Sequence, residues 1–410
     1  MRDNRLYWIW LQQALEPGGT KTALALSAFA SPEAAYKASR SELMRAGFTG
    51  ALLERLCRKS LDPAARILED SLRDGAFVLT MDDEAYPDCL RHTYMPPLVL
   101  YGKGELPPLD RLPAVAMVGT RKASDYGCRA AGSLAAGLAA GGCAVISGGA
   151  VGIDAASHRG ALAGGGLTIV VQGCGLDVDY PRPNRPLREQ ILAADGVIVT
   201  EYPPGSLPLR EHFPVRNRLL AGMSMAVCVV EAPEHSGSLI TARLARSQGR
   251  DVYVVPGEIT SKNSSGSNDL IKDGAALVTK ASEILRDYRL RFPDILDLRA
   301  ADAAQAVYGH GGIRRASVPS APAKDSVRPA RTAAPEVEPS ADAFYACPSD
   351  ASAKAALLYQ MLTCEPLAAE ILAQKAGLSF SDTLAGLTEL EIAGCARNFP
   401  GRQFSLKPRP

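Results

Sequence analysis

The spacing of apolar positions changes period along the chain. Over residues 6–15, 20–29, 31–38, 41–46 and 49–58 apolar residues recur every three or four positions, between short polar breaks. Ser31 followed by Pro32 and Glu33, and Ser41 followed by Glu42, are helix starts. This predicts a small helical domain over residues 1–70.

From about residue 71 short apolar runs replace that pattern, at 77–80, 98–101, 114–118, 144–146, 168–171, 197–199, 226–230, 252–255 and 276–278. Helical patterns at 127–140, 155–163, 188–194 and 238–248 fall between them. Strands that alternate with helices call for helices on both faces of one sheet. The expected fold class is α/β: an extended Rossmann-like, doubly wound, mostly parallel sheet over residues 71–290. Residues 291–345 are rich in Ala, Pro and Ser and predict a flexible linker. Over 346–410 three helical stretches precede two short strands around Pro400 and Gly401, the order of a winged helix. Its third helix carries Asp382, Glu389 and Glu391 and no Lys or Arg, which favours protein contact over reading a DNA groove.

Composition narrows the partners only slightly. With 45 basic and 44 acidic residues there is no overall field to attract a polyanion, so an electropositive site must come from local clustering. The nine cysteines are scattered without a CxxC pair or histidines at zinc-ligand spacing, and they read as buried thiols of a reducing cytosol. No apolar run is long enough to span a membrane, and the N-terminus lacks the layout of a signal peptide. A cytoplasmic protein with no membrane partner, no cofactor and no metal is expected.

The candidate chemistry lies in five loops placed at the carboxyl ends of predicted strands. The first, 118–127, combines Gly119 and Thr120 with Arg121 and Lys122 just before a helix, the mixture of N–H groups, hydroxyl and cations that phosphate contacts use. The second runs from Ser147 through Gly148, Gly149 and Gly152 into a helix whose unpaired N–H groups would attract an anion. The third, 172–187, offers Arg182 and Arg185. The fourth, 200–224, reads as a loop with Arg210, His212, Arg216, Asn217 and Arg218 around Tyr202 and Phe213; cations interleaved with aromatic rings suit single-stranded nucleic acid. The fifth sets Ser236, Gly237, Ser238 and Thr241 at a helix start. Together they favour a polyanion over one small phosphate.

Two groupings could instead signal catalysis. Asp154 and His158 lie four apart on one helix, but with no third ligand or nucleophile in view a structural role is favoured. Glu201 and Glu231 each follow a strand, and a role in bracing the neighbouring arginines is preferred to an acid–base one.

The ordered blocks VGTRKAS, ISGGAVGIDAASHRGAL, GCGLDVDYPRPN, TEYPPGSLPLREHFPVRNRLLAGMS, VVEAPEHSGSLITARLA, GRDVYVVPG and GSNDLIKDGAALV span Val118 to Val278. They resemble the DNA-processing protein A (DprA/Smf) family, and YPDCLRHTYMPPLVLYGKG before them is similar to the segment preceding that family's core. The resemblance implies a single-stranded DNA-binding protein that protects incoming DNA and loads the RecA recombinase onto it in natural transformation, a homodimer through the Rossmann-like domain, and no catalytic chemistry. It carries a DNA contact onto Arg121, and onto Arg216 and Arg218 through the RNR motif. Many members have a cation where this chain has Val151, so the glycine loop here offers backbone and shape rather than charge. The enzyme alternative, a phosphoribohydrolase-like nucleotide hydrolase, needs a PGGxGT loop where this chain reads APEHSGSLIT.

Overall fold

The computed structural model describes residues 3–93, 95–309, 352–363, 367–393, 395–399 and 403–406. It divides into two units, Met1–Ala316 and Ser317–Pro410.

The first unit opens with six helices, α1 (Arg5–Leu15), α2 (Thr22–Ala28), α3 (Pro32–Lys37), α4 (Arg40–Arg45), α5 (Gly50–Cys57) and α6 (Asp62–Arg73). Ser31 caps α3, while the start of α4 is set by Ser39 and Glu42 in a capping box rather than by Ser41. Then follow β1 (Phe77–Thr80), α7 (Asp88–Arg91), β2 (Val99–Lys103), β3 (Ala114–Val118), α8 (Asp125–Ala140), β4 (Ala144–Ser147), α9 (Ile153–Ala163), β5 (Thr168–Gln172), α10 (Arg185–Ala193) and β6 (Val197–Thr200). The chain continues through α11 (His212–Gly222), β7 (Ala226–Val229), α12 (Gly237–Ser247), β8 (Asp251–Val254), α13 (Ser265–Lys272), β9 (Ala276–Leu277), α14 (Ala281–Tyr288) and α15 (Leu298–Gly309).

All nine strands join one sheet in the order β1-β2-β6-β5-β4-β3-β7-β8-β9, parallel from β6 to β9, with β1 and β2 antiparallel at one edge. The side-chain alternation along each strand feeds two cores. Ala116 and Val118 of β3 pack with Leu219, Leu220 and Ala242 on one face. Val115 and Met117 pack with Leu134, Leu138 and Ile153 on the other. The helical N-terminal unit closes on the antiparallel edge, where Trp8, Trp10 and Leu11 share a core with Val78, Val99 and Tyr101. The two tryptophans are therefore packing residues. No helix among the described residues is long and apolar enough to cross a membrane.

Two expectations need correction. The predicted linker does not begin at 291: Phe292 and Leu296 belong to the core, and 298–309 is helix α15, docked on α8. Asp297 Oδ1 accepts from the N–H groups of Arg299 and Ala300, Gln305 spans Ala281 N and Thr279 O, and Ala301 is buried. An alanine-rich stretch reads as linker by composition, but alanine is also the best helix former and lets helices approach closely. The rest of the predicted linker, 310–345, lies outside the described residues. The fourth predicted loop, in turn, contains the eleven-residue helix α11.

The second unit has α16 (Ala353–Met361), β10 (Leu367–Ala368), α17 (Ala369–Ala376), α18 (Phe380–Ile392), β11 (Ala396–Phe399) and β12 (Gln403–Leu406), with strand order β10-β12-β11. This is the expected winged helix. Asp382 pairs with Lys354 and Glu389 receives Ser352, so two acids of the third helix hold α16 in place.

Candidate nucleic-acid interface

The five loops follow β3, β4, β5, β6 and β7, so they crowd the carboxyl edge of the parallel strands. Chain direction across the sheet reverses between β3 and β7, and open α/β sheets bind ligands in the crevice at such a point. A cavity of about 300 Å³ lies there, lined among others by Gly119, Thr120, Arg121, Phe213, Arg216, Asn217, Ser236, Gly237, Ser238 and Thr241.

Glu231 sets the first loop. Its carbonyl accepts from Thr120 N at 2.7 Å, and its buried carboxylate accepts from the N–H and hydroxyl of Ser124, the residue that caps α8. It braces a helix start, not an arginine as expected. The second loop packs directly on the first: Ile153 N donates to Thr120 O, and at Gly152, with φ +82°, a Cβ would fall 2.4 Å from that same oxygen. Ser147 is buried with its hydroxyl on Met117 O, and Gly149 O accepts from Asn184, so these two shape the loop from behind.

Helix α11 supplies the floor. Arg216 is buried, donating from Nη1 to the carbonyls of Gly148 and Val171, and its Nε has no partner among the described residues. A Cβ at Gly148 would lie 2.6 Å from Arg216 Nη2 and 2.7 Å from Asp154 Oδ2, so any larger residue there must shift these two buried side chains. Burial lowers the Arg216 pKa and Asp154 opposes the shift; burial raises that of Asp154, chiefly opposed by Arg216. Asn217 Nδ2 donates to Gly237 O and ties α11 to the start of α12, where Ser236 caps Ser238 N.

Arg218 does not reach the cradle. Two residues on a helix are about 200° apart, so it leaves the opposite side of α11 from Arg216. It is fully buried, with Nε on Met95 O, Nη1 on Val215 O and an ion pair of 2.7 Å to Glu201. The expected bracing by Glu201 is observed, and the expected DNA contact by Arg218 is replaced by a core role.

The exposed part of the site is cationic and aromatic. The Arg121 guanidinium lies 4.7 Å from the Phe213 ring centroid, Arg216 lies 5.9 Å from the same ring, and Tyr180 sits beside it at 5.6 Å. Arg121 Nη1 reaches the Tyr180 hydroxyl at 3.4 Å. Tyr180 escaped the sequence reading; its signal was an aromatic residue in the third loop, between charges. Lys122 is exposed, with its carbonyl held by Asn263. Arg182 is exposed, whereas Arg185 pairs with Asp179.

Asp154 and His158 do not form a catalytic pair. Asp154 accepts from Ala150 N and frames the second loop. His158 is buried with Nδ1 2.7 Å from Thr168 Oγ1, whose own proton goes to Val145 O, so the imidazole donates from Nδ1. Burial brings its pKa down to about 3. Among the described residues no group of three His, Cys, Asp or Glu side chains could hold a metal.

A switch-point cradle of N–H groups, arginine and aromatic rings, joined in sequence to a winged helix, defines an α/β DNA-processing protein. The comparisons agree: the profile of the DNA recombination-mediator protein A family matches residues 77–289 and that of the DprA winged helix domain matches 332–402, so the chain belongs to that family. Protein Smf of Synechocystis is 34% identical over 99% of both chains. The DNA processing protein DprA of Streptococcus pneumoniae is 43% identical over 50% of this chain and 72% of its own. The X-ray structure of DNA processing protein A from the same species covers 68% of this chain and 97% of its own, with 34% identity and a TM-score of 0.59. Membership gives the protein a DNA-processing role in recombination.

Proposed function

We propose that the protein binds single-stranded DNA along the carboxyl edge of the sheet and delivers it to RecA as a homodimer, without catalysing a reaction on it. One observation carries the reading: the exposed Arg121 guanidinium on the Phe213 ring, beside a cavity lined by the start of α12. Phosphates are met by Arg121, Lys122 and backbone N–H groups, and bases stack on Phe213 and Tyr180. The buried Arg216 fixes the loops rather than following the strand. Against the hydrolase alternative, both strand-end carboxylates are consumed in structural bonds, Glu201 on Arg218 and Glu231 on Ser124. The open sheet edge at β9, with Leu277 half-exposed, supports pairing of two copies.

Fluorescence anisotropy with labelled single- and double-stranded oligonucleotides of one sequence tests the reading. Preferential binding of the single strand is expected, and equal or exclusive binding of the duplex would overturn it. RecA nucleation on a single strand, with and without this protein, tests delivery. Sedimentation tests the dimer.

A further inference from the structure

A second cavity, of about 260 Å³, lies over β2 and β6 between α10 and the third loop, and shares no lining residue with the DNA cradle. Leu176, Leu192 and Ile198 form an apolar wall. Gln172, the last residue of β5, also lines it; the residue is only 5% exposed, yet its side-chain oxygen has no donor among the described residues. A buried carbonyl left unpaired is unfavourable, so the position is built to receive a hydrogen bond. Lys103 at the end of β2 also lines it and has no carboxylate partner among the described residues, whereas Arg185 and Arg188 are both engaged by Asp179; of the other two carboxylates on the lining, Asp177 accepts from Gly205 N and Glu189 stands on α10.

An apolar wall with one primary amide at its end and one available cation is the recognition set of a nucleotide. The wall takes the face of a base, and the amide reads its edge. A glutamine accepting at Oε1 and donating from Nε2 matches the exocyclic amine and N7 of adenine, where guanine presents two acceptors; cytosine offers a similar amine-and-nitrogen pair on a smaller ring, which the CMP arm of the test distinguishes. We propose that this cavity is an adenine-nucleotide site, with Gln172 reading the base and Lys103 meeting the phosphate. It is independent of the DNA-binding reading. The same loop that walls the cavity carries Tyr180 and Asn184 to the cradle side, so an occupied site would stiffen the loop that borders the DNA.

Isothermal titration of the full chain with AMP, GMP and CMP tests the proposal. AMP is expected to bind in preference to the other two, and Gln172→Leu to weaken it by about tenfold or more through loss of the paired hydrogen bonds. Lys103→Ala should weaken AMP while leaving adenosine unchanged, and Arg121→Ala should leave AMP unaffected. Retained single-strand binding by Gln172→Leu shows that this variant is folded; if it is not, the Lys103→Ala and Arg121→Ala arms decide. No AMP binding to the parent at millimolar concentration would overturn the proposal. So would equal binding of GMP or CMP, or loss of AMP in Arg121→Ala with retention in Lys103→Ala, which would put the nucleotide in the cradle.

Discussion

Replacing Glu201 by Gln separates the core role of Arg218 from a DNA-contact role. Both side chains of the pair are only 2% exposed, and the guanidinium's other acceptors are the carbonyls of Met95 and Val215. Removing the carboxylate charge leaves a cation buried against carbonyls alone, a change that costs about 3–5 kcal/mol. With a urea dependence of roughly 2 kcal/mol per molar, the unfolding midpoint falls by about 2 M. The assay is built into the chain, because its two tryptophans, Trp8 and Trp10, are buried in the helical unit whose Gln12 donates to Glu201 O and whose Gly18 N–H reaches the Glu201 carboxylate. Tryptophan emission against urea therefore reports loss of this junction. Replacing the pair together, Glu201→Leu with Arg218→Met, restores much of the midpoint, since an apolar pair needs no desolvation compensation. An Arg218→Met variant that unfolds like the parent but fails to bind single-stranded DNA would refute the assignment and return Arg218 to the interface.

Three further outcomes follow from the same geometry. Phe213→Ala, with its ring removed from between Arg121 and Tyr180, should lower single-strand affinity by roughly 1–3 kcal/mol, and Tyr180→Ala by a similar amount, as read by anisotropy; Tyr180→Phe should retain stacking. Gly148→Ala should weaken binding, because its Cβ displaces Arg216 and Asp154, which line the cradle; a parental binding curve would show that the loop yields freely. His158 is buried and neutral, with its pKa down to about 3, so its contribution to stability is complete above its unfolded value near 6.5 and is lost as pH falls toward 3. At pH 5 the loss is about 2 kcal/mol, and His158→Asn should flatten the dependence of the urea midpoint on pH between 7 and 5.

The sheet was legible because its central strands are runs of Val, Ile and Ala buried on both faces, such as Ala114–Val118 and Thr168–Gln172, bounded by glycines. The five loops followed from the ends of those strands, and the switch point brought them together without any further signal. Helix α11 was not legible, because Arg216, Asn217 and Arg218 are buried and so give the helix no polar face for a periodicity to reveal. That omission also misplaced Arg218: in a loop adjacent arginines can face one way, while on a helix Arg216 and Arg218 cannot. Tyr180 reaches Phe213 through a tertiary contact between the third loop and α11, which local sequence does not encode. Helix α15 was hidden by composition, since its capping residue Asp297 and its anchor Gln305 are single polar residues within an alanine-rich stretch.

In the proposed complex Arg121 meets backbone phosphate at the mouth of the cradle. This contact is tested most directly by the salt dependence of single-strand binding in Arg121→Ala against the parent. Each phosphate contact to a single strand contributes a slope of about −0.7 in log K against log salt. The variant should bind more weakly at every sequence and lose about one contact's worth of that slope. A variant with the parental affinity and the parental slope would contradict the account.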